Sequence, residues 1–256
     1  MKILCPLCIL ALMFCTAVSV LAQSSITHLS DLTHKKIAVP QGTAADQLVS
    51  QALPKAKIVY YDNVLDCAVA VKAGLADAAA YDEPVLRTLL RTNNDLTILP
   101  EFLTNDNYGL AVNHGRQDIK VVMDACIDRF AAAGAFKFMD LLWFHGGEFE
   151  GPPRPVAESY EGVLRFGTSA QLEPFAFKMK TGEVLGFDIE LAYCIAQTLG
   201  LQLEVYDMPF EDLIPALLNN EVDMIGAGLT ITPARAEKVL FSKPYYQSGI
   251  AAIVKK

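Results

Sequence analysis

The stretch "GAGLTITPARAEKVLFSKPYY" runs from Gly226 to Tyr246, and its reading decides the fold. The "VDMI" before it (Val222–Ile225) is a short apolar run of strand character. Three small residues follow, then the hydroxyls of Thr230 and Thr232, then Pro233, a residue that opens helices. Arg235 is a lone cation just inside that helix start. A strand, a small-residue turn and a helix start together present free backbone N–H groups at the carboxyl end of a strand. The guanidinium of Arg235 adds a planar fork that matches a carboxylate bidentately. Taken alone, Arg235 as a solvated residue of a short helix is the more ordinary reading.

Working outward, the same alternation fills both flanks. Towards the N-terminus of this half, "VLRFGTS" and "QLEVYDM" read as strands. "FDIELAYCIAQTLG" and "FEDLIPALLNN" read as helices. "VLFS" and "GIAAIVKK" close the chain as strand-like runs. The other half repeats the rhythm: strands at Lys36–Val39, Lys57–Tyr61, Ala76–Asp82, Leu96–Leu99 and within Asn107–Gly115, with helices between them and at Ile119–Ala133 and Phe136–Trp143. Such alternation with short loops predicts parallel strands covered by helices. The Gly- and Pro-rich "HGGEFEGPPRPVAESYEG" (His145–Gly162) interrupts it as a semi-rigid linker.

The chain has 256 residues, of which 52% are hydrophobic and 20% charged, so it can build a core. Its net charge is −8 with no Lys/Arg run, which argues against nucleic acid or anionic membrane as a partner. "MKILCPLCILALMFCTAVSVLA" has the positive start, apolar run and small-residue end of a secretory signal, and residues 1–22 are expected to be removed. The "CPLC" at Cys5–Cys8 leaves with it. Cys67, Cys126 and Cys194 remain, each in an apolar helical pattern, and are expected as buried thiols, with a Cys126–Cys194 bridge as the alternative. The four histidines have no metal-ligand spacing, so no metal and no cofactor are expected.

Two further places carry chemistry. In "PQGTAA", Gly42-Thr43-Ala44 lies between a strand and a helix, with Asp46 three residues after Thr43 as a weak capping box. Asp82 ends a strand before a helix entered through Pro84; it is a plain N-cap or a carboxylate facing a cleft and an ammonium group. A guanidinium, a helix N-terminus and a carboxylate together suit a zwitterion, whose buried charges must each be paired. No nucleophile–base set stands out, and Glu173, Asp188 and Asp207 are expected as surface or capping carboxylates.

These residues resemble a known family. "RFGTSAQLEPFAF", "GEVLGFDIELAYCIAQTLG" and "MPFEDLIPALLNNEVDMIGAGLTITPARAEKVLFSKPYYQSG" are similar to the first lobe of type 2 solute-binding proteins of ABC transporters, the polar amino-acid class. "DLTHKKIAVPQGTAAD", "VKAGLADAAAYDEPV", "NYGLAVNHG" and "AAAGAFKFMDLLWF" resemble the remainder. The order of the two halves is reversed. The resemblance thus implies an α/β, two-lobed periplasmic-binding-protein-like fold of type II, circularly permuted. The small lobe is expected at 24–105. The large lobe combines 106–150 with 162–256, joined through 151–161. One interlobe crossover would remain, near Asn105–Tyr108, and the two cut ends are expected to pair as strands.

By resemblance, Arg235 clamps a ligand carboxylate with Thr230 and Gly228, and the backbone of Thr43 and Ala44 binds it from the other lobe. Asp82 takes the ammonium, and Phe210 lines the pocket. Leu172 stands where many members have a stacking aromatic, and Ser169 where some have Asp, which loosens any inference about the ligand side chain. The implied role is extracytoplasmic, in the periplasm: capture of a small zwitterion, an amino acid first of all, by a monomer that delivers it to the membrane subunits of an ABC transporter. The alternatives are a cyclohexadienyl or arogenate dehydratase-like enzyme on the same fold, and a ligand sensor or accessory module.

Overall fold

A computed structural model describes residues 26–144 and 159–256. The expected signal at 1–22 and most of the expected linker lie outside the described residues.

Two five-stranded sheets organise the chain. The first contains β1 (Lys36–Pro40), β2 (Lys57–Tyr61), β3 (Ala78–Asp82) and β4 (Leu96–Ile98). Helices α1 (Ala44–Ala52), α2 (Val64–Lys72) and α3 (Glu83–Leu90) connect them. β1 runs parallel to β2 and β3, as strand–helix alternation requires. The order is β2-β1-β3-β15-β4, in which β15 is Ile250–Lys255, the last strand of the chain. β15 is antiparallel to both neighbours.

Two very short strands, β5 (Asp106–Tyr108) and β6 (Ala111–Val112), lead out of this sheet. Helices α4 (Gln117–Ala132) and α5 (Ala135–Phe144) follow. The chain resumes with β7 (Val163–Thr168), then a small antiparallel sheet of β8 (Gln171–Leu172), β9 (Ala176–Lys178) and β10 (Val184–Leu185). Next come α6 (Phe187–Thr198), β11 (Gln202–Asp207), α7 (Leu213–Leu218), β12 (Met224–Ile225), α8 (Pro233–Ala236), β13 (Leu240–Phe241) and β14 (Tyr246–Ser248). The second sheet has the order β11-β7-β12-β6-β13, and β6 is antiparallel to both its partners.

The antiparallel strands correct the expectation of parallel strands throughout, and the reason is connectivity. A parallel neighbour needs a helical crossover. β6 and β15 have no helix before them; each enters its sheet directly from the other one, through β5 and β14. β5 and β14 pair antiparallel, with Tyr246 opposite Tyr108 and Ser248 opposite Asp106. Two strands therefore cross between the sheets, where the sequence reading expected one. Gly249 sits where they pass, and a Cβ there would lie 2.0 Å from the Thr104 carbonyl oxygen. The Thr104 hydroxyl accepts from the Ile250 amide at 2.8 Å, and Ile250 O accepts from Leu103 N at 2.7 Å.

β15 also corrects the expected grouping of 162–256 into one lobe, because Ile250–Lys255 is built into the first sheet. It is buried on both faces. Ala251 and Ile253 pack with Val71, Leu86 and Leu89 on the α2–α3 side. Ile250, Ala252 and Val254 pack with Val49 and Leu32 on the other. A row of alanines in β3 (Ala78, Ala79, Ala80), all fully buried, lets helices approach both faces closely. The cut ends do not pair as strands: Leu29–Leu32 is a 3-10 turn that packs its Leu32 onto the β15 face, while Lys256 N donates to Asp95 O at 3.0 Å. In the second sheet Phe166, Val112 and Met224 face α4, α5 and α6, and Ala111 and Ile225 face α7. Among the described residues no helix is long and apolar enough to cross a membrane.

Candidate functional site

Loops from the two sheets meet around two adjoining cavities. One, of about 280 Å³, is walled by Gln41, Thr43 and Tyr81 from the first sheet and by Ser169, Phe175 and Phe210 from the second. The other, of about 390 Å³, is walled by Gly42, Thr43 and Ala44 on one side and by Phe210, Thr232 and Arg235 on the other. Thr43 and Phe210 border both. Asp62 and Glu211 place carboxylates on the rim of the first.

The helix α1 wall is bare of side-chain caps. Thr43 occupies the N-cap with extended backbone, but its hydroxyl turns back to donate to Pro40 O at 2.9 Å. The expected capping box with Asp46 is therefore not formed, and the first amides of α1 keep their donors free at the cavity edge.

Opposite, Thr232 caps α8 by accepting from Arg235 N at 3.3 Å. This fixes the first turn from which the Arg235 side chain leaves. Its Nη1 donates to Thr230 O at 3.0 Å, and its guanidinium lies over the Phe210 ring, 5.3 Å from the centroid. Arg235 is thus half-buried and held, not a freely solvated helix residue. Burial pulls its pKa below the ordinary value, and the Asp82 and Tyr81 side chains push back.

Asp82 stands at the N-cap of α3 yet makes no cap hydrogen bond. Its Oδ1 instead accepts from the Tyr108 hydroxyl, out of the crossover strand β5. Burial pushes the Asp82 carboxyl up to about 6, against the Tyr108 hydroxyl and the Arg235 charge. Asp82 and Arg235 feel each other electrostatically but no salt bridge joins them, so each keeps capacity for another partner. Asp82 lines neither of these cavities and is only 8% exposed, while its neighbour Tyr81 lines the first.

Gly228 and Thr230 occupy the loop before α8. Thr230 is buried and bridges Tyr108 as an isolated β-pair. Gly228 has φ +59°, and a Cβ there would lie 2.9 Å from the Phe175 ring, so the position requires glycine. Their neighbours Ala227 and Leu229 reach the cavity walls. Leu172 contributes backbone to β8; its side chain lies outside the described residues.

Asp188 corrects its expected surface role. It is fully buried, and its Oδ2 accepts from Gly228 N at 2.7 Å, holding the loop that carries Thr230. Its Oδ1 has no partner. Burial pushes its carboxyl up to about 7, against the Tyr245 hydroxyl and the Gly228 amide. The signal was in the sequence: a first-turn carboxylate between Phe187 and Ile189, both apolar. Glu173 and Asp207 are surface groups, as expected: Glu173 pairs with Arg91 at 3.0 Å, and Asp207 accepts from Ala170 N at 2.9 Å. Sequence reasoning also missed Tyr108 and Phe175, whose rings meet edge-on at 5.3 Å below the site. Among the described residues no three His, Cys, Asp or Glu side chains cluster as a metal site.

Residues 164–256 match the sequence model of the bacterial extracellular solute-binding proteins, family 3. The chain is 41% identical over 100 residues to the arginine-binding extracellular protein ArtP of Bacillus subtilis, a match covering 39% of each. It is 42% identical over 88 residues to a probable ABC transporter arginine-binding protein of Chlamydia trachomatis, covering 34% of each. A probable histidine-binding protein of Neisseria gonorrhoeae is 32% identical over 111 residues, covering 43% of this chain and 41% of that protein. The chain spans well under half the length of these relatives. Residues 164–256 of this chain are thus similar to the bacterial extracellular solute-binding proteins of family 3.

Proposed function

We propose that this chain captures a free amino acid between its two lobes, outside the cytoplasm, and hands it to the membrane subunits of an ABC transporter. One observation carries the reading. The uncapped α1 N-terminus at Thr43 and Ala44 lies across one cavity from the Arg235 guanidinium and the Phe210 ring beneath it. Both are carboxylate binders by nature, one through oriented amides and the other through a planar fork. Asp82 supplies the opposite charge for the ligand ammonium. The relatives named above bind arginine or histidine by name, and the carboxylates of Asp62 and Glu211 at the rim suit a cationic side chain. Closure follows because only the closed state satisfies both walls at once.

We read the chain as a circular permutant that acts as a monomer, with its lobes in reversed order relative to the family. Two observations support this. The family match begins at residue 164, and β15 threads from the matched segment into the sheet built by residues 36–98. A ligand at about 100 times its dissociation constant adds roughly 2.7 kcal/mol of stability. A thermal-shift panel of the common amino acids is expected to single out one or a few basic ones. Arg235→Ala should abolish the shift at the same concentration. An unchanged shift in that variant, or no shift with any amino acid, overturns the reading. Turnover of prephenate or arogenate by the same protein would replace it with the dehydratase alternative.

A further inference from the structure

Away from the cavities, helices α4 and α6 bring two cysteines together. Cys126 and Cys194 are both buried and both reduced. The two thiols share one guanidinium nitrogen as a neighbour. The exposed Arg129, one turn after Cys126, folds its Nη2 over both sulfurs, 2.7 Å from Cys194 Sγ and 3.7 Å from Cys126 Sγ. Thr198 completes the cluster: its hydroxyl is 3.5 Å from Cys126 Sγ and donates to Cys194 O at 2.8 Å. The third described cysteine, Cys67, is buried in α2 of the other lobe with no such neighbours.

A thiol pair beneath a guanidinium is a different object from two buried hydrophobes. The positive charge favours a thiolate, and the second thiol donates to it, so the pair loses its first proton below the ordinary thiol range and its second above it. Cys67 has the opposite environment, and burial pushes its thiol up to about 12. Chemistry at Cys126 and Cys194 is thus favoured over chemistry at Cys67.

We propose that Cys126 and Cys194 form a redox pair that closes to a disulfide, stapling α4 to α6 across the join between the two separately encoded parts of the second lobe. The oxidant is a disulfide of low molecular weight or of a thiol oxidoreductase. One thiolate of the pair attacks a sulfur of that disulfide and expels a thiolate. The other then attacks the mixed disulfide and expels the second. Two protein thiols are oxidised, and the external disulfide leaves as two thiols. The protons released by Cys126 and Cys194 go to the departing thiolates or to water.

The test uses the full chain, oxidised glutathione as the probe, and peptide mapping after alkylation. The expected result is a linked peptide pair containing Cys126 and Cys194, with Cys67 still alkylated, reversed by dithiothreitol. The oxidised protein should melt higher, by roughly 5 °C or more. Cys126→Ser and Cys194→Ser should each stop at a mixed disulfide with glutathione and show no such rise. Arg129→Gln should leave the fold intact but slow closure about tenfold at pH 7, the difference vanishing above the ordinary thiol pKa. Failure to link the two peptides overturns the proposal, as does equal oxidation of Cys67 or a closure rate insensitive to Arg129→Gln. None of these outcomes depends on whether an amino acid binds the cleft.

Discussion

The Tyr108 hydroxyl donates a hydrogen bond to Asp82, tying a crossover strand to the carboxyl end of a strand in the first sheet. Tyr108 is fully buried and Asp82 nearly so. One contact thus joins the segment that links the lobes to the carboxylate proposed for the ligand ammonium.

Replacing Tyr108 by Phe keeps the ring contacts with Phe175 and Tyr246 and deletes the donor. The buried carboxylate loses its partner, at a cost of about 1–3 kcal/mol. The loss depends on pH. Burial already raises the Asp82 pKa to about 6, so its contribution is fully favourable below the unfolded value near 3.8 and declines as pH rises through 6. Removing the hydroxyl, which lowers that pKa, pushes it further up. Denaturation of Tyr108→Phe and wild type at pH 5 and pH 8 should show the larger deficit at pH 8.

Asp188 follows the same logic more strongly, with its carboxyl pushed from 3.8 up to about 7. Its burden grows from near pH 4 to pH 7 and amounts to at most ~4 kcal/mol. Asp188→Asn cannot ionise, so the stability of that variant should vary less with pH over this range. Because the Gly228 amide still needs an acceptor and the asparagine oxygen can serve, the fold should survive. A pH profile of the midpoint identical to wild type would contradict the assignment.

Ile253 lies at the centre of β15 with no exposed surface. Ile253→Ala removes buried methylenes facing Leu86 and Leu89 and leaves a cavity, costing about 2–5 kcal/mol. The urea midpoint should fall while the slope stays constant. A loss below 1 kcal/mol would mean that the last strand is not integral to the first sheet.

Gly249→Ala should be worse than its single methyl suggests. The new Cβ would meet backbone at 2.0 Å, and backbone cannot swing aside as a side chain can. Separation of β5 from β14 is the expected response, with faster amide exchange at Ile250 and Leu103, whose hydrogen bonds close the crossing.

Much of this was legible in the chain itself, and what was not has a physical cause. The helices α1 to α6 follow from apolar spacing, which records burial on one face of a local element. Thr43 was legible as an N-cap because that position is read locally, but the direction of its hydroxyl was not, since Pro40 O competes with the helix amides. Asp188 read as a surface group because carboxylates usually are; its burial depends on the Gly228 amide, 40 residues away in sequence.

By itself the sequence determined that strands and helices alternate, which residues are apolar enough to form the cores, and that a small-residue turn precedes Arg235. Those properties depend on neighbours within a few residues. Only the tertiary structure decided that β15 belongs to the first sheet, that two strands cross between the sheets, and that Thr43, Phe210 and Arg235 share a cavity. A strand of alternating small and branched residues fits either sheet. Which one it joins depends on where the preceding strand delivers it and on the gap that β3 and β4 leave open.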